Sequence, residues 1–282
     1  MTERDEIKRY LFEKAASGND LLYSCRQARR PAAGVVEKAK PREEKKENRE
    51  GRTPEVKKKE RIKISEIETG IRYDTAAPVQ DKLFSKGAGK DDSTDLSGHD
   101  METLAEEVGK CRKCPLSGSR TNTVFGAGDP SAGVVFVGEA PGREEDLSGI
   151  PFVGRAGKLL DKILQAIEFS REQVFIANIL KCRPPDNRDP NEKEVAACEP
   201  FLQRQLELIE PDIICALGRV AAQTLLRTRS SLGKMRGKIH YYNGIKMIAT
   251  YHPAALLRNP NFKRPAWEDM KMLRSIYDSS SE

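Results

Sequence analysis

The sequence has 282 residues, 38% of them hydrophobic, and its 49 Lys and Arg against 43 Asp and Glu give a formal net charge of +6. It has room for one or two domains, and no apolar run approaches the roughly 20 residues of a membrane span, which argues against a membrane protein. The first residues, MTERDEIKRY, lack the apolar core of a secretory signal, so we expect a soluble, cytoplasmic protein without structural disulfides.

Charged residues are concentrated at the amino-terminal end. The first 100 residues contain 43 charged residues, against 49 in the remaining 182. Residues 3–16 have the apolar spacing of a short amphipathic helix, but residues 31–100 are too poor in large apolar side chains to offset the loss of chain entropy on folding. We therefore predict a largely disordered extension over residues 1–100, either a plain tether or an arm that contacts nucleic acid or a replication or repair protein, and a folded domain over 101–282.

The folded part alternates between two kinds of apolar pattern. Strands are predicted at 133–138, 174–180, 212–217 and 245–250, and helices at 101–110, 155–168, 191–209, 219–227 and 265–277. This alternation predicts βαβ units and therefore an α/β fold whose mainly parallel sheet is covered on both faces. In such sheets ligands bind in the loops that follow the carboxyl ends of the strands.

Four of the six cysteines are candidates for one shared metal site. Cys111 and Cys114 form a CxxC pair, Cys182 follows the second predicted strand, and Cys198 lies on the next predicted helix. Four thiolates suit either zinc or an iron–sulfur cluster, and spacing does not decide between them or exclude that the two distant cysteines are simply buried. Cys215, inside the apolar run IICAL, is predicted to be a core residue.

Polar residues follow three of the predicted strands. Glu139 comes directly after the first strand and its terminal Gly138, in a stretch that also contains Phe152. Asn178 ends the second strand, where its carboxamide can offer a donor and an acceptor to the edge of a nucleobase, although an Asn in this place is equally common as a turn residue. His252 follows the fourth strand.

The segment after the fourth strand combines apolar and basic residues. Leu256 and Leu257 are predicted to be exposed in a loop next to Arg258, which fits an apolar wedge entering a DNA groove while cations hold the phosphates. Residues 230–282 carry 9 Lys and Arg against 4 Asp and Glu, and this local excess also suits a polyanionic partner.

Taken together, these motifs resemble the family 4 uracil-DNA glycosylases. The resemblance covers residues 101–277 and rests on GEAPGREED, GIPFVGRAGKLLDKIL, ANILKCRPPDNRDP, HPAALLRNP and the spacing of the four cysteines. One departure is Ala254-Ala255, where relatives often have Ser-Tyr, which affects packing of the loop more than the reaction. A basic, histidine-bearing insertion after Arg155 is missing, so the variant that stays covalently attached to DNA is not indicated.

The resemblance implies a three-layer αβα fold around a four-stranded parallel sheet, and a monofunctional enzyme that excises uracil from single- or double-stranded DNA and leaves an abasic site. The catalytic residues that it implies are Glu139, which would orient water and stabilise a cationic sugar, and His252, which in its neutral form would donate a hydrogen bond to the departing base. Phe152 would stack on the uracil, which must leave the duplex to be reached, and Asn178 would read its edge. The implied substrate-binding set is Gly138, Ala140, Phe152 and Asn178; the implied DNA contacts are Leu256, Leu257 and Arg258; and the implied ligands of a [4Fe–4S] cluster are Cys111, Cys114, Cys182 and Cys198.

Two other functions fit the same motifs. The first is a glycosylase for another deaminated base such as hypoxanthine, because selectivity depends on side-chain placement that the sequence does not show. The second is a non-catalytic iron–sulfur protein that binds DNA with the same fold. The presence of all four implied site residues, Glu139, Phe152, Asn178 and His252, argues against the second.

Overall fold

The structure is a computed structural model that describes residues 95–280. The helix predicted at 3–16 and most of the predicted tether lie outside these residues. Packed structure already begins before residue 101, because Leu96 is buried in the hydrophobic core and Arg204 donates two hydrogen bonds to the backbone carbonyl of His99. Within the part described, no helix is both long and apolar enough to cross a membrane.

The described chain alternates strands and helices, as predicted. The strands are β1 (Ala127–Gly128), β2 (Val134–Gly138), β3 (Phe175–Asn178), β4 (Ile213–Leu217), β5 (Ile239–Tyr242) and β6 (Ile245–Thr250). The helices are α1 (Met101–Lys110), α2 (Arg143–Ser148), α3 (Arg155–Ala166), α4 (Glu192–Ile209), α5 (Arg219–Leu226), α6 (Leu232–Met235), α7 (Pro253–Arg258) and α8 (Lys263–Ser280).

The six strands form one sheet in the order β1-β3-β2-β4-β6-β5. The four central strands are parallel and are the four that the sequence predicts. The sheet is larger than the predicted four strands, because β1 and β5 add antiparallel edges. β5 joins β6 through Asn243 and Gly244, both with positive φ, in the geometry of a tight hairpin turn.

The sheet is covered on both faces, which confirms the α/β prediction and gives three layers. Alternate residues of the central strands point into two separate hydrophobic clusters, as expected for a period of two. Val135 and Val137 face the cluster that contains α1, α4 and α5, whereas Val134 and Phe136 face the cluster that contains α3 and α8. Cys215 is fully buried in the second cluster, as predicted.

Parallel pairing brings the carboxyl ends of β2, β3, β4 and β6 to one edge of the sheet. Ile179 donates a backbone hydrogen bond to Gly138 (2.9 Å), so the chain beyond β3 continues alongside the loop that follows β2. Gly218 donates one to Thr250 (2.8 Å), which joins the segment after β4 to the end of β6. The polar residues that the sequence places after strands therefore share this edge.

Candidate active site

The first part of the site is a narrow space between the ends of two adjacent strands. Gly138 on β2 and Asn178 on β3 are partners in the parallel register. A Cβ atom built on Gly138 would lie 2.7 Å from Phe152 Cζ and closer still to Asn178 Oδ1, so only glycine allows both groups to approach this backbone. Gly138, Phe152 and Asn178, which the sequence predicts to be in one site, therefore lie together.

The Asn178 side chain is buried, with 2% of the residue exposed, but its hydrogen bonding is incomplete. Its Oδ1 has no hydrogen-bond partner among residues 95–280. A buried acceptor without a partner costs about 1–3 kcal/mol, so native proteins rarely keep one unless a ligand satisfies it. The oxygen is therefore available to accept a hydrogen bond from a ligand.

Phe152 is held in an unusual backbone conformation. Its φ is +53°, a region that non-glycine residues seldom occupy. A Cβ on Gly157 would overlap the Phe152 carbonyl, so this glycine in the first turn of α3 lets the helix pack directly against the Phe152 backbone. The ring is buried, and its centroid lies 5.4 Å from that of His252. Two rings therefore border the space at the end of β2.

His252 is fixed at the amino terminus of α7, where its Nδ1 accepts a hydrogen bond of 3.1 Å from Ala254 N. Burial and, to a lesser extent, the charge of Arg258 lower the pKa of His252 to about 4, against the opposing charge of Glu145. The imidazole is therefore neutral at physiological pH. Because Nδ1 is an acceptor, the single ring proton resides on Nε2, which becomes the donor.

Glu139 follows β2 directly and is only partly exposed. Burial and, to a lesser extent, the charge of Asp189 raise the pKa of Glu139 to about 7, against the opposing charge of Arg219. Asp189 and Arg219 form an ion pair of 2.5 Å with each other. A carboxyl group with a pKa near neutrality is suited to accept a proton in a reaction at physiological pH.

One residue of the site was missed in the sequence, although GREED drew attention to the acids after β2. Glu145 Oε1 accepts hydrogen bonds from Val153 N (3.0 Å) and Gly154 N (2.9 Å), and its Oε2 accepts one from Gly142 N (3.1 Å). These bonds fix both ends of the loop that carries Phe152. The charge of Glu145 also raises the pKa of His252, against the larger effect of burial. Three acids in a row give no signal for which one turns inward.

The remaining predicted site residues divide into two environments. Ala140 lies in the loop after β2 and packs against the cluster that contains α1 and α4. The segment after β6 is the helix α7, not a loop, and consecutive helical residues face different directions. Leu256 is 3% exposed and packs in the core, so its predicted exposure is wrong, whereas Leu257 is 37% exposed and Arg258 is also exposed.

The four predicted cysteine ligands line one cavity, together with apolar residues and Lys113, Ser117, Arg120 and Lys181. All four are free thiols, with Cys182 and Cys198 buried. Arg120 Nη1 donates to Cys182 Sγ (3.1 Å), and Lys181 N donates to Cys198 Sγ (3.2 Å). Such donors stabilise sulfur ligands that carry negative charge, so the donor set fits a thiolate-bound group.

Zinc and an iron–sulfur cluster place different demands on these four cysteines. In the described range, no group of three His, Cys, Asp or Glu side chains is placed to hold a single metal ion. A zinc ion needs every sulfur at about 2.3 Å from one centre, whereas an iron–sulfur cluster binds each cysteine through a different iron and separates the sulfurs. The four cysteines around this one cavity are the residues that would hold either kind of group.

Comparison with known proteins shows the family of this chain. The uracil DNA glycosylase superfamily matches residues 125–271. The chain is 46% identical over 188 residues to the type-4 uracil-DNA glycosylase of Saccharolobus solfataricus, covering 64% of this chain and 87% of that protein. It is 47% identical over 180 residues to the type-4 enzyme of Thermotoga maritima, covering 62% and 94%. It is also similar to the type-5 uracil-DNA glycosylase of Pyrobaculum aerophilum, at 30% identity over 146 residues, covering 46% and 64%.

The structure is thus an α/β protein whose strand ends carry a narrow cradle formed by Gly138, Phe152 and Asn178, a neutral histidine and a carboxyl group of raised pKa. The chain belongs to the uracil DNA glycosylase superfamily.

Proposed function

We propose that this protein is a monofunctional uracil-DNA glycosylase of DNA repair, which flips uracil out of single- or double-stranded DNA and hydrolyses its N-glycosidic bond. The observation that carries the proposal is the buried, unpartnered Asn178 Oδ1 beside Phe152. Uracil N3–H is a donor that would satisfy this oxygen, and the aromatic ring offers a stacking surface for a base taken out of the helix.

The site residues can supply each requirement of the reaction. The bond between C1′ and N1 breaks with its electron pair on the uracil, and a water oxygen forms the new bond to C1′ while its proton is accepted by a base. Glu139 in its carboxylate form would orient the water, accept that proton and stabilise the cationic sugar. His252 Nε2–H would donate to an oxygen of the departing uracil anion. A nucleophilic lysine is not needed, so strand cleavage is not expected.

We also propose that Cys111, Cys114, Cys182 and Cys198 hold a [4Fe–4S] cluster. Their shared cavity and the two N–H donors to sulfur support this assignment. When bound, the cluster would supply structure by joining the segment after α1 to the segment after β3 and to α4. Iron and acid-labile sulfide in about fourfold excess over protein support it, and one equivalent of zinc without iron refutes it.

The proposed DNA contacts lie on α7. Leu257 is the exposed apolar residue of this helix, and Arg258 follows it at the carboxyl-terminal end. Leu257 would enter the space that the flipped nucleotide leaves, and Arg258 would bind a neighbouring phosphate. Leu256 is not available for this contact because it is buried.

The experiment that tests the function is release of free base from labelled oligonucleotides that contain one uracil, one hypoxanthine or no lesion. The wild-type protein is compared with Glu139→Ala and His252→Ala. Uracil release that falls by two orders of magnitude or more in both variants supports the proposal. Release of hypoxanthine alone favours the alternative lesion. Binding to DNA with no base release from a folded, iron-loaded protein favours the non-catalytic alternative.

A further inference from the structure

A buried lysine lies directly beneath the base-reading strand end. Lys181 is 1% exposed, and its Nζ donates to the backbone carbonyl of Asn178 (3.0 Å) and to Gln205 Oε1 (2.6 Å) on α4. The other half of the same carboxamide, Gln205 Nε2, donates to the carbonyl of Phe125 (3.0 Å). Asn178 is thus connected through two side chains to a helix and to a loop before β2.

Lys181 also belongs to the wall of the cysteine cavity. Its backbone N donates to Cys198 Sγ (3.2 Å), and its backbone carbonyl accepts from Val124 N (2.8 Å). Backbone and side chain of this one residue therefore join the cavity to the strand end at which Asn178 lies. The mechanism proposed above gives Lys181 no role, and its burial excludes direct contact with DNA in this conformation.

The Asn178 carboxamide needs support of this kind. Its Oδ1 lacks a hydrogen-bond partner in the described chain, so the acceptor side of the amide is not oriented by a protein donor. The direction of the side chain then depends on the orientation of its own peptide. Lys181 Nζ donates to the carbonyl of that peptide. If residue 181 had no side-chain donor, this buried carbonyl would lose a hydrogen bond.

We propose that Lys181 is a positioning residue for base recognition, which fixes the Asn178 peptide so that Oδ1 points into the uracil cradle. This inference rests on the proposed function, because it assigns Lys181 to the recognition of the same base. It predicts that Lys181 acts only through Asn178.

A double-mutant cycle tests this prediction. Lys181→Met keeps the length of the apolar stem and removes the donor, and it is combined with Asn178→Ala. Single-turnover uracil release and inhibition by free uracil are measured for the four iron-loaded proteins. We expect Lys181→Met to reduce the rate and the affinity for free uracil by about tenfold in the wild-type background and by less than about twofold in the Asn178→Ala background. Lys271→Met, which removes an exposed lysine on α8, is the control for loss of a charge.

Each outcome is decisive. Equal fold-losses in the two backgrounds, or no loss in either, overturn the inference, and the iron content and melting temperature of each variant show whether a loss comes from damage to the cluster. If Lys181→Met does not fold, Gln205→Leu enters the same cycle, because it removes the acceptor that aligns Nζ, and the same coupling is required of it. Absence of uracil release from the wild-type protein would instead remove the proposed function itself.

Discussion

Gly138 and Asn178 are register partners on adjacent parallel strands, and a Cβ atom on Gly138 would collide with the carboxamide oxygen of Asn178. This close approach makes the base cradle narrow. Because Gly138 has no side chain, its backbone itself forms part of the binding surface. The Phe152 ring closes the same space from the other side.

Gly138→Ala should therefore block the cradle. The added methyl group would meet the Phe152 ring and the Asn178 carboxamide, and a displacement of about 1 Å in an active site can cost on the order of a hundredfold in rate. We expect at least this loss in uracil release, with an unchanged melting temperature to within a few degrees. The control is Gly233→Ala on α6, where a Cβ has no neighbour within 4 Å. Wild-type activity in Gly138→Ala would contradict the geometry.

The rate should depend on pH through Glu139. Its raised pKa, about 7, means that the carboxylate needed as a base is lost as the pH falls through 7, so kcat/KM should increase with pH up to that value and then level off. His252, with a pKa of about 4, stays neutral throughout the range from 5 to 8 and adds no second inflection there.

Two neighbours of Glu139 should move this inflection in opposite directions. Asp189→Asn removes a negative charge and leaves Arg219, so the inflection should shift to lower pH; Arg219→Gln leaves Asp189 and should shift it to higher pH. The pH profile of single-turnover release checks both variants. Shifts in the same direction, or an inflection that persists in Glu139→Gln, would show that another group titrates.

The ion pair between Arg236 and Asp269 should stabilise the segment that carries His252. Asp269 is 1% exposed, and its carboxylate accepts two hydrogen bonds from Arg236, at 2.9 and 3.1 Å. It also accepts one of 2.8 Å from Oγ1 of Thr250, the last residue of β6. Arg236→Met would leave a buried carboxylate without its cation, which typically costs about 3 kcal/mol in the free energy of unfolding.

This loss should depend on pH. Burial raises the pKa of Asp269 to about 6, so the folded protein binds its proton more readily than the unfolded chain does, and this group favours folding least at high pH. The destabilisation by Arg236→Met should therefore be larger at pH 7 than at pH 5, and Asp269→Asn should relieve it in the double variant. Urea unfolding at the two pH values checks this. Lys110→Met, which breaks the exposed pair with Glu106, should change stability by less than about 1 kcal/mol.

The two adjacent leucines of α7 should have different roles. Leu257→Ala should reduce uracil release from duplex DNA more than from single strands, because a wedge is needed only where a base is unstacked from its helix, and it should leave stability unchanged. Leu256→Ala should instead lower the free energy of unfolding by about 2–5 kcal/mol, because it removes a core side chain. Equal effects of both variants on activity and on stability would contradict the assignment.

The amino-terminal extension should be dispensable for the chemistry. A chain that begins at residue 95 retains the buried Leu96 and the Asp100 side chain that caps α1, so we expect it to fold and to release uracil from short oligonucleotides at the rate of the full chain. Its uracil release is compared with that of the full chain. An insoluble or inactive product would place the domain boundary further toward the amino terminus. A loss confined to long DNA or to added replication proteins would assign the extension a binding role.

The strands and the main helices were predictable because their apolar periodicity is strong. The parallel strands at Val134–Gly138 and Ile213–Leu217 are unbroken apolar runs, as expected for strands buried on both faces. The hairpin at Asn243-Gly244 was missed although that dipeptide is a strong turn signal, and β1, with two residues, is too short to have any periodicity.

Details of the site depend on the direction in which side chains point, and neither apolar periodicity nor motif spacing shows that direction. Asn178 and His252 were identified by residue type and position after strands, and the role of Phe152 by the resemblance of its motif. The inward turn of Glu145, the burial of Leu256 and the bond from Lys181 to Asn178 arise from tertiary packing. Acids and lysines are usually exposed, so the inward turn of Glu145 and the burial of Lys181 are not expected from residue type. The burial of Leu256 follows from the helical form of α7, a segment predicted to be a loop.

The most direct test of the central claim, that the buried Asn178 oxygen receives uracil, compares Asn178→Ala with the wild-type protein in two assays. We expect release of free uracil to fall by at least about a hundredfold, since the lost contact is to a buried base edge, while affinity for undamaged duplex DNA stays within about twofold. Equal loss of excision and of binding to undamaged DNA would mean that Asn178 supports the fold, and full excision would mean that the base is read elsewhere.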